Sequence, residues 1–222
     1  MLVPIVNTLV ARMIYKDSAK TILCYGDSNT WGANPRKDER YPRSVRWPYV
    51  LQKLLGEGYE IISEGVCGRT LVAHDSGKPW RTGITHLKSI LESASPVDLF
   101  IVMLGTNDTK EIYGLSPENI AEHLQQTVNL VRGEGIKNIL ILCPPQVVAP
   151  EDGELEPSAR RMPEILPQLP SLYKQVAVKN NCSYINTGDY IESSRGDGFH
   201  LDPEAHLKLA EVIRDKIKEI GI

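Results

Sequence analysis

The stretch Thr21–Gly32, "TILCYGDSNTWG", changes character at its middle. Its first residues form an apolar run of strand length, whereas Gly26 begins a polar segment that contains Asp27, Ser28 and Asn29. Residues of these types are common turn formers, so one interpretation is a simple turn between a strand and a helix. The other interpretation is that Ser28 is a nucleophile placed at the C-terminal end of a buried strand. Residues further along the chain distinguish between the two.

Further apolar runs of strand length alternate with helical patterns along the chain. With Thr21–Tyr25, the predicted strands are Tyr59–Ser63, Leu99–Leu104, Asn138–Cys143 and Ser183–Asn186. The predicted helices are Trp47–Leu55, Thr82–Ala94, one capped by Ser116 ahead of Pro117, and one capped by Asp202 ahead of Pro203. Such alternation implies parallel pairing with right-handed crossovers. We therefore predict an α/β fold, a three-layer α/β/α sandwich around a five-stranded parallel sheet.

The composition narrows the class of protein. The chain has 222 residues, and we expect one domain over 20–222 preceded by an N-terminal extension over 1–19. The net charge is −3 and no basic patch occurs, which argues against nucleic acid as a partner. The first fifteen residues are apolar but too short to span a bilayer and lack a basic n-region. The four cysteines form no C-x-x-C pair, which predicts free thiols in a reducing cytoplasm and no zinc site.

One stretch of the chain fits no regular element. Pro144–Pro170 is rich in proline and contains the acidic segment Glu151–Glu156. A connection of this length inside a compact domain is usually functional or disordered. We predict an irregular loop that forms one wall of a pocket.

Polar, glycine-containing loops follow four of the predicted strands. They are Gly26–Ser28, Gly65–Thr70, Gly105–Asp108 and, ahead of the last helix, Asp197–His200. In open parallel sheets, ligands bind beyond the carboxyl ends of the strands, so these four loops should meet at one edge.

Together the loops contain the parts of a serine acyl hydrolase. Ser28 needs a base, which His200 can provide, and Asp197 can orient that imidazole and stabilise its charged form. The backbone N–H groups of Ser28 and Gly68 and the side-chain amide of Asn107 are candidate donors to a developing oxyanion. Each residue alone is also typical of a turn, a cap or a structural contact. Their combination at the strand ends favours the catalytic interpretation.

Four sequence blocks in this order resemble the SGNH, or GDSL-type, hydrolase superfamily. The blocks are "GDSNT", "GVCG", "GTND" and "DGFH", and they span residues 26–200. The resemblance implies a flavodoxin-like SGNH fold without metal or organic cofactor. It also implies Ser28 as nucleophile, His200 as base and Asp197 as its orienting acid, with Gly68 and Asn107 completing the oxyanion hole.

The segments "GDSNTWG", "VRWPYVL" and "IVMLGTNDTK" further resemble the arylesterase/acyltransferase branch of that superfamily. This resemblance implies short-chain, acetyl-type ester substrates, acyl transfer to alcohols and assembly into dimers or larger homo-oligomers. We expect Asn29, Trp31 and Phe199 to line the substrate pocket, with Asn29 making its floor more polar than the leucine common there. Arg69 and Asp108 could either hydrogen-bond the loops together or contact substrate.

Alternative roles remain for several side chains. Asp27 could hold the turn by accepting backbone N–H groups, or it could take part in catalysis. Cys67 is a second candidate nucleophile, although no motif places a histidine beside it. His200, Asp202 and His206 could build a metal-dependent hydrolase, although their spacing does not match a helical zinc motif.

Two other functions also remain open. The polar Asn29 and the acidic segment Glu151–Glu156 would suit a carbohydrate O-acetyl esterase. A binding module for acyl or sugar ligands could keep the same fold without catalysis, although the complete set of catalytic residues argues against it.

Overall fold

The computed structural model describes residues 19–222. Five strands form one sheet in the order β2-β1-β3-β4-β5, and every neighbouring pair is parallel. The strands are β1 Lys20–Gly26, β2 Tyr59–Gly65, β3 Leu99–Met103, β4 Ile139–Cys143 and β5 Ser183–Asn186. The predicted five-stranded parallel sheet is confirmed. Of the expected extension over 1–19, all but Ala19 lies outside the described residues.

The α-helices follow the strands along the chain. They are α1 Ser28–Trp31, α2 Trp47–Leu55, α3 Gly83–Ser93, α4 Pro117–Gly133, α5 Met162–Ile165, α6 Leu169–Lys179 and α7 Pro203–Ile220. Short 3₁₀ turns lie at Pro79–Arg81, Asn107–Thr109, Glu111–Tyr113, Pro157–Ala159, Leu166–Gln168 and Thr187–Asp189. Within residues 19–222, no helix has the length and apolar character needed to cross a membrane.

Alternating side chains of the strands build two separate cores, one on each face of the sheet. In β1, Leu23 and Tyr25 point into a core that contains the buried residues of α3, α4 and α6. Ile22 and Cys24 point to the opposite face and pack with the buried residues of α2 and α7. Because both faces are covered, the strands are apolar along nearly their whole length. This arrangement is the predicted three-layer sandwich.

The two predicted helix caps differ in the structure. Ser116 accepts the N–H of Asn119, whose side chain accepts the N–H of Ser116, so α4 begins with a complete capping box. Asp202 stands at the N-cap position of α7, but its side chain makes no capping hydrogen bond. Its carboxylate instead lies 3.8 Å from the guanidinium of Arg36. The local capping bond that the sequence predicted is therefore not formed.

The prediction of an irregular loop over Pro144–Pro170 is only partly correct. Its second half contains α5 and two 3₁₀ turns, and the whole of α6 was missed. Prolines stand in the first turn of each of these elements, at Pro157, Pro163, Pro167 and Pro170. The N–H that proline lacks has no partner in a first helical turn, so proline starts a helix there rather than breaking it.

The end of β2 and the helix α1 touch at Gly65. A Cβ atom on Gly65 would lie 2.2 Å from the backbone nitrogen of Trp31 and 2.6 Å from its Cα. Because these are backbone atoms, α1 could not make room by a side-chain rotation. The absence of a side chain at Gly65 therefore allows α1 to lie directly against the sheet.

Replacing Gly65 with Ala should lower the free energy of unfolding by about 1–3 kcal/mol, the usual result of forcing atoms into a filled space. The measurement is urea unfolding followed by circular dichroism. Gly58→Ala is the matched control, because a Cβ there meets nothing within 4 Å. It should change the free energy by less than about 1 kcal/mol. Equal stability of the two variants would contradict the described contact.

Candidate active site

The polar segment after β1 forms a single helical turn that begins at Ser28. Asp27 is its N-cap, and its side chain accepts the N–H of Asn29 at 3.0 Å. Gly32 ends the turn with a φ of +90°, which favours glycine. The turn holds the half-buried Ser28 at the carboxyl edge of the sheet, against a pocket.

Ser28, His200 and Asp197 form a continuous chain of hydrogen bonds. Nε2 of His200 lies 2.7 Å from Oγ of Ser28, which is 172 residues away in the sequence. Nδ1 of the same ring lies 2.5 Å from Oδ2 of Asp197. The other carboxylate oxygen, Oδ1, accepts the backbone N–H groups of Phe199 and His200 at 3.1 and 3.0 Å. The three residues therefore have the relative positions that nucleophile, base and orienting acid require.

The surroundings of Asp197 keep its carboxylate ionised. Burial alone would raise the pKa of Asp197, but the hydrogen bond and charge of His200, with the two backbone N–H groups, lower it below the ordinary value. An ionised Asp197 favours a proton on Nδ1 of His200. That leaves the lone pair of Nε2 facing the Ser28 hydroxyl, as proton abstraction requires.

The two other candidate oxyanion donors line the same pocket as Ser28. Gly68 has a φ of +79°, and a Cβ there would lie 2.7 Å from the guanidinium carbon of Arg81. Asn107 follows β3, and its Nδ2 donates to the carbonyl of Arg69 at 3.2 Å. Nδ2 also faces Oδ2 of Asp27 at 3.4 Å.

Arg69 ties the loop after β2 to the ends of β1 and β2, and Asp108 ties the loop after β3 to the loop after β2. The buried Arg69 donates from Nη1 to the backbone carbonyls of Gly26, at 3.1 Å, and of Glu64. The fully buried Asp108 accepts the N–H of Leu71 at 3.0 Å. Of the two roles that the sequence left open, these contacts favour holding the loops together over contacting the substrate.

A pocket of about 300 Å³ opens beside Ser28. Two of the expected residues, Trp31 and Phe199, contribute to its wall, and Cys67 lines it as well. The lining also contains charged side chains, which are Lys37, Asp38, Glu39, Arg81, Lys110, Glu156 and the catalytic candidate Asp197. Among these, Lys110 lies two residues after the "GTND" block, which is the one local signal that could have identified it. Glu156 comes from the proline-rich stretch, as the sequence predicted for one wall.

The expectation that Asn29 lines the pocket is wrong. Its side chain is 3% exposed and is absent from the pocket wall. Nδ2 of Asn29 instead donates to the backbone carbonyl of Phe199 at 3.1 Å. On a one-turn helix, the residue after Ser28 points away from the solvent edge. Asn29 therefore connects the Ser28 turn to the His200 loop rather than forming the pocket floor.

The structure gives little support to the alternative nucleophile or to the metal site. Burial raises the pKa of Cys67, which disfavours its reactive thiolate form. His206 is fully buried and its Nδ1 accepts the N–H of Trp47 at 3.4 Å, while Asp202 lies beside Arg36. Across the part of the chain that is described, no three His, Cys, Asp or Glu side chains are grouped as metal ligands.

The sequence profile of the GDSL-like lipase/acylhydrolase family matches residues 24–208. A carbohydrate acetylesterase from Sinorhizobium meliloti is 34% identical, with a TM-score of 0.85 over 90% of this chain and 99% of that protein. The aryl esterase of M. smegmatis, in its inhibitor-bound form, is 30% identical, with a TM-score of 0.84 over 90% and 99% of the two chains.

An acetylxylan esterase of Xylanibacter ruminicola is 24% identical over 91% of this chain. The match covers 44% of that enzyme, so this chain spans less than half of its length. The profile match and the two structural likenesses, which extend over nearly the whole chain, are consistent with the site geometry. The chain belongs to the GDSL-like lipase/acylhydrolase family and has the α/β fold of the SGNH esterases.

Proposed function

We propose that this protein is a serine esterase that hydrolyses short-chain, acetyl-type carboxylic esters through an acyl-Ser28 intermediate. The observation that carries the proposal is the unbroken hydrogen-bond chain from Asp197 through His200 to Ser28, at 2.5 and 2.7 Å, beside a pocket. No organic or metal cofactor is needed for this chemistry.

In the first half of the reaction, Oγ of Ser28 bonds to the ester carbonyl carbon while Nε2 of His200 takes the hydroxyl proton. The carbonyl oxygen gains the negative charge and accepts hydrogen bonds from the N–H groups of Ser28 and Gly68 and from Nδ2 of Asn107. The bond between the carbonyl carbon and the alcohol oxygen then breaks. His200 returns its proton to the leaving alcohol, and the acyl group remains on Ser28.

In the second half, His200 takes a proton from water as the water oxygen bonds to the acyl carbon. The bond to Oγ of Ser28 then breaks, and His200 protonates the serine. Asp197 stabilises the imidazolium in both halves. The carboxylic acid leaves and the resting hydrogen bonds form again.

A carbohydrate O-acetyl ester is the second candidate substrate. The rim residues Lys37, Asp38, Glu39, Lys110 and Glu156 supply donors and acceptors suited to sugar hydroxyl groups. Trp31 and Phe199 give the apolar surface that an aryl leaving group or a sugar face can contact. Two of the similar proteins carry the names carbohydrate acetylesterase and acetylxylan esterase, which supports this candidate. Comparing kcat/KM for p-nitrophenyl acetate and for acetylated xylo-oligosaccharides decides between the two classes.

Three further properties belong to the proposal. Transfer of the acyl group to an alcohol in place of water follows from the acyl-Ser28 intermediate. Assembly into a homo-oligomer would cover the exposed apolar side chains of Trp80 and Ile112, which are 55% and 82% exposed. A cytoplasmic location agrees with the four cysteines, all of which are free thiols.

Ser28→Ala should abolish hydrolysis of p-nitrophenyl acetate and labelling by a fluorophosphonate probe, because the Ser28 hydroxyl is the group that donates to Nε2 of His200. Ser171→Ala is the matched control, since its hydroxyl bonds a backbone carbonyl on an exposed surface. Retained turnover in the Ser28 variant would refute the nucleophile assignment and would turn attention to Cys67. Ligand binding without turnover in the parent protein would instead indicate a binding module.

Asn107→Ala should lower kcat by roughly 10²–10³, the usual effect of removing one oxyanion donor. KM should change much less, because the donor acts mainly on the transition state. Steady-state kinetics with p-nitrophenyl acetate measures both parameters. A change confined to KM would mean that Asn107 binds the substrate instead.

Asn29→Leu should lower stability by about 1–3 kcal/mol, because the carbonyl of Phe199 loses a partially buried donor. Transfer of acetyl groups from vinyl acetate to dilute benzyl alcohol should keep its ratio to hydrolysis, since Asn29 does not face the pocket. Urea unfolding and product analysis measure the two quantities. A large rise in the ratio of transfer to hydrolysis without loss of stability would show that Asn29 does face the pocket.

A further inference from the structure

A buried carboxylate lies directly beside the proposed nucleophile. Asp27 is 2% exposed, and its two oxygens have different partners. Oδ1 accepts the N–H of Asn29 at 3.0 Å and thereby caps α1. Oδ2 faces Nδ2 of Asn107, a residue of the loop that follows β3, at 3.4 Å. Capping accounts for the first contact but not for the second.

A cap alone does not require an acid at this position. Burial raises the pKa of Asp27 to about 6. The charge of Asp108 also raises this pKa, whereas the N–H of Asn29 and the charges of His200 and Lys110 lower it. Since this pKa lies above that of an unfolded aspartate, the contribution of Asp27 to stability declines as pH rises from about 4 to about 6. Asparagine or serine would cap α1 without a buried charge. The carboxylate therefore calls for a second explanation.

We propose that Asp27 is a positioning residue that holds the side-chain amide of Asn107 with its nitrogen toward the oxyanion site. This inference rests on the proposed esterase function. An asparagine amide can turn its oxygen or its nitrogen to a given neighbour. Here both neighbours are acceptors, namely Oδ2 of Asp27 and the carbonyl oxygen of Arg69. Turning the amide by 180° would place Oδ1 of Asn107 against two oxygens.

The consequence for catalysis is a donor of fixed direction. The inference requires that the two acceptors, at 3.4 and 3.2 Å from Nδ2, share one of its hydrogens, so that the other can donate to the ester oxygen. An oxyanion donor is effective when it is already oriented before charge develops. With Oδ1 turned toward the pocket, the same residue would repel the developing charge instead.

The test is a double-mutant cycle between Asp27→Asn and Asn107→Ala, with kcat and KM measured on p-nitrophenyl acetate at pH 8. Asn at position 27 keeps an oxygen to cap α1, but it presents an NH₂ group to Nδ2 of Asn107. We expect Asp27→Asn alone to lower kcat by about 10–100-fold with KM changed less than about threefold. In the Asn107→Ala background the same substitution should change kcat by less than about threefold, because the residue it acts on is gone.

Asp98→Asn is the matched control. Asp98 also accepts a backbone N–H, that of Thr21 at 2.9 Å, but it lies beside the first residues of β1, at the end of the sheet opposite to Asn107. Its kcat should equal that of the parent protein. The unfolding midpoint of Asp27→Asn in urea at pH 8 should not fall, because the variant removes a buried charge and keeps the cap. A purely structural role would lower stability and activity together.

Two outcomes overturn the inference. Parental kcat in Asp27→Asn would show that Asn107 does not need the carboxylate. An equal loss of kcat in both backgrounds would show that Asp27 acts elsewhere, for instance on the charge of His200. If Asp27→Asn does not fold, Asp27→Ser replaces it in the same double-mutant cycle. Serine keeps an oxygen to cap α1 but lacks the second oxygen that accepts from Asn107. The Ser28→Ala result decides the esterase function separately, so that function can stand when this inference fails.

Discussion

The position of Ser28 depends on the parallel pairing of β1 with two neighbours at once. Gly26 stands opposite Gly65 of β2 on one side and Met103 of β3 on the other. Since all three strands run in the same direction, their loops emerge at the same edge of the sheet. The close contact between Gly65 and α1 then fixes how near Ser28 lies to the glycine-containing loop after β2. The two strand neighbours thus bring the candidate oxyanion donors close to Ser28.

Two aspartates of the site show how the surroundings assign different tasks to the same side chain. The Asp197 carboxylate is hydrogen-bonded to His200 and to two backbone N–H groups, which lower its pKa. Asp27 is more deeply buried and has only neutral donors in contact, and its pKa is raised to about 6. The first can stabilise an imidazolium as it forms. The second suits a role in orienting a neutral amide.

The pocket combines features that serve different substrates. Trp31 and Phe199 provide apolar contact, whereas the charged rim offers hydrogen bonds to a polar leaving group. The proposed reaction uses the same chain of hydrogen bonds for either substrate, because that chain acts only on the ester group. The proposed reaction is therefore compatible with both the arylesterase and the carbohydrate acetylesterase likenesses.

The sequence by itself determined the strands, the layers and the candidate catalytic residues. Apolar runs of strand length can be recognised locally, and the polar residues that follow them must share one edge when the strands are parallel. This is why Ser28, Gly68, Asn107, Asp197 and His200 could be selected before their distances were known. Only the tertiary structure decided where individual side chains point and which distant segments meet. Asn29 faces the backbone carbonyl of Phe199 instead of the pocket, and Asp202 lies beside Arg36 without capping α7, and both contacts join segments that are far apart in the sequence. The contact between Asp27 and Asn107 joins residues 80 positions apart, so no local pattern could have predicted it.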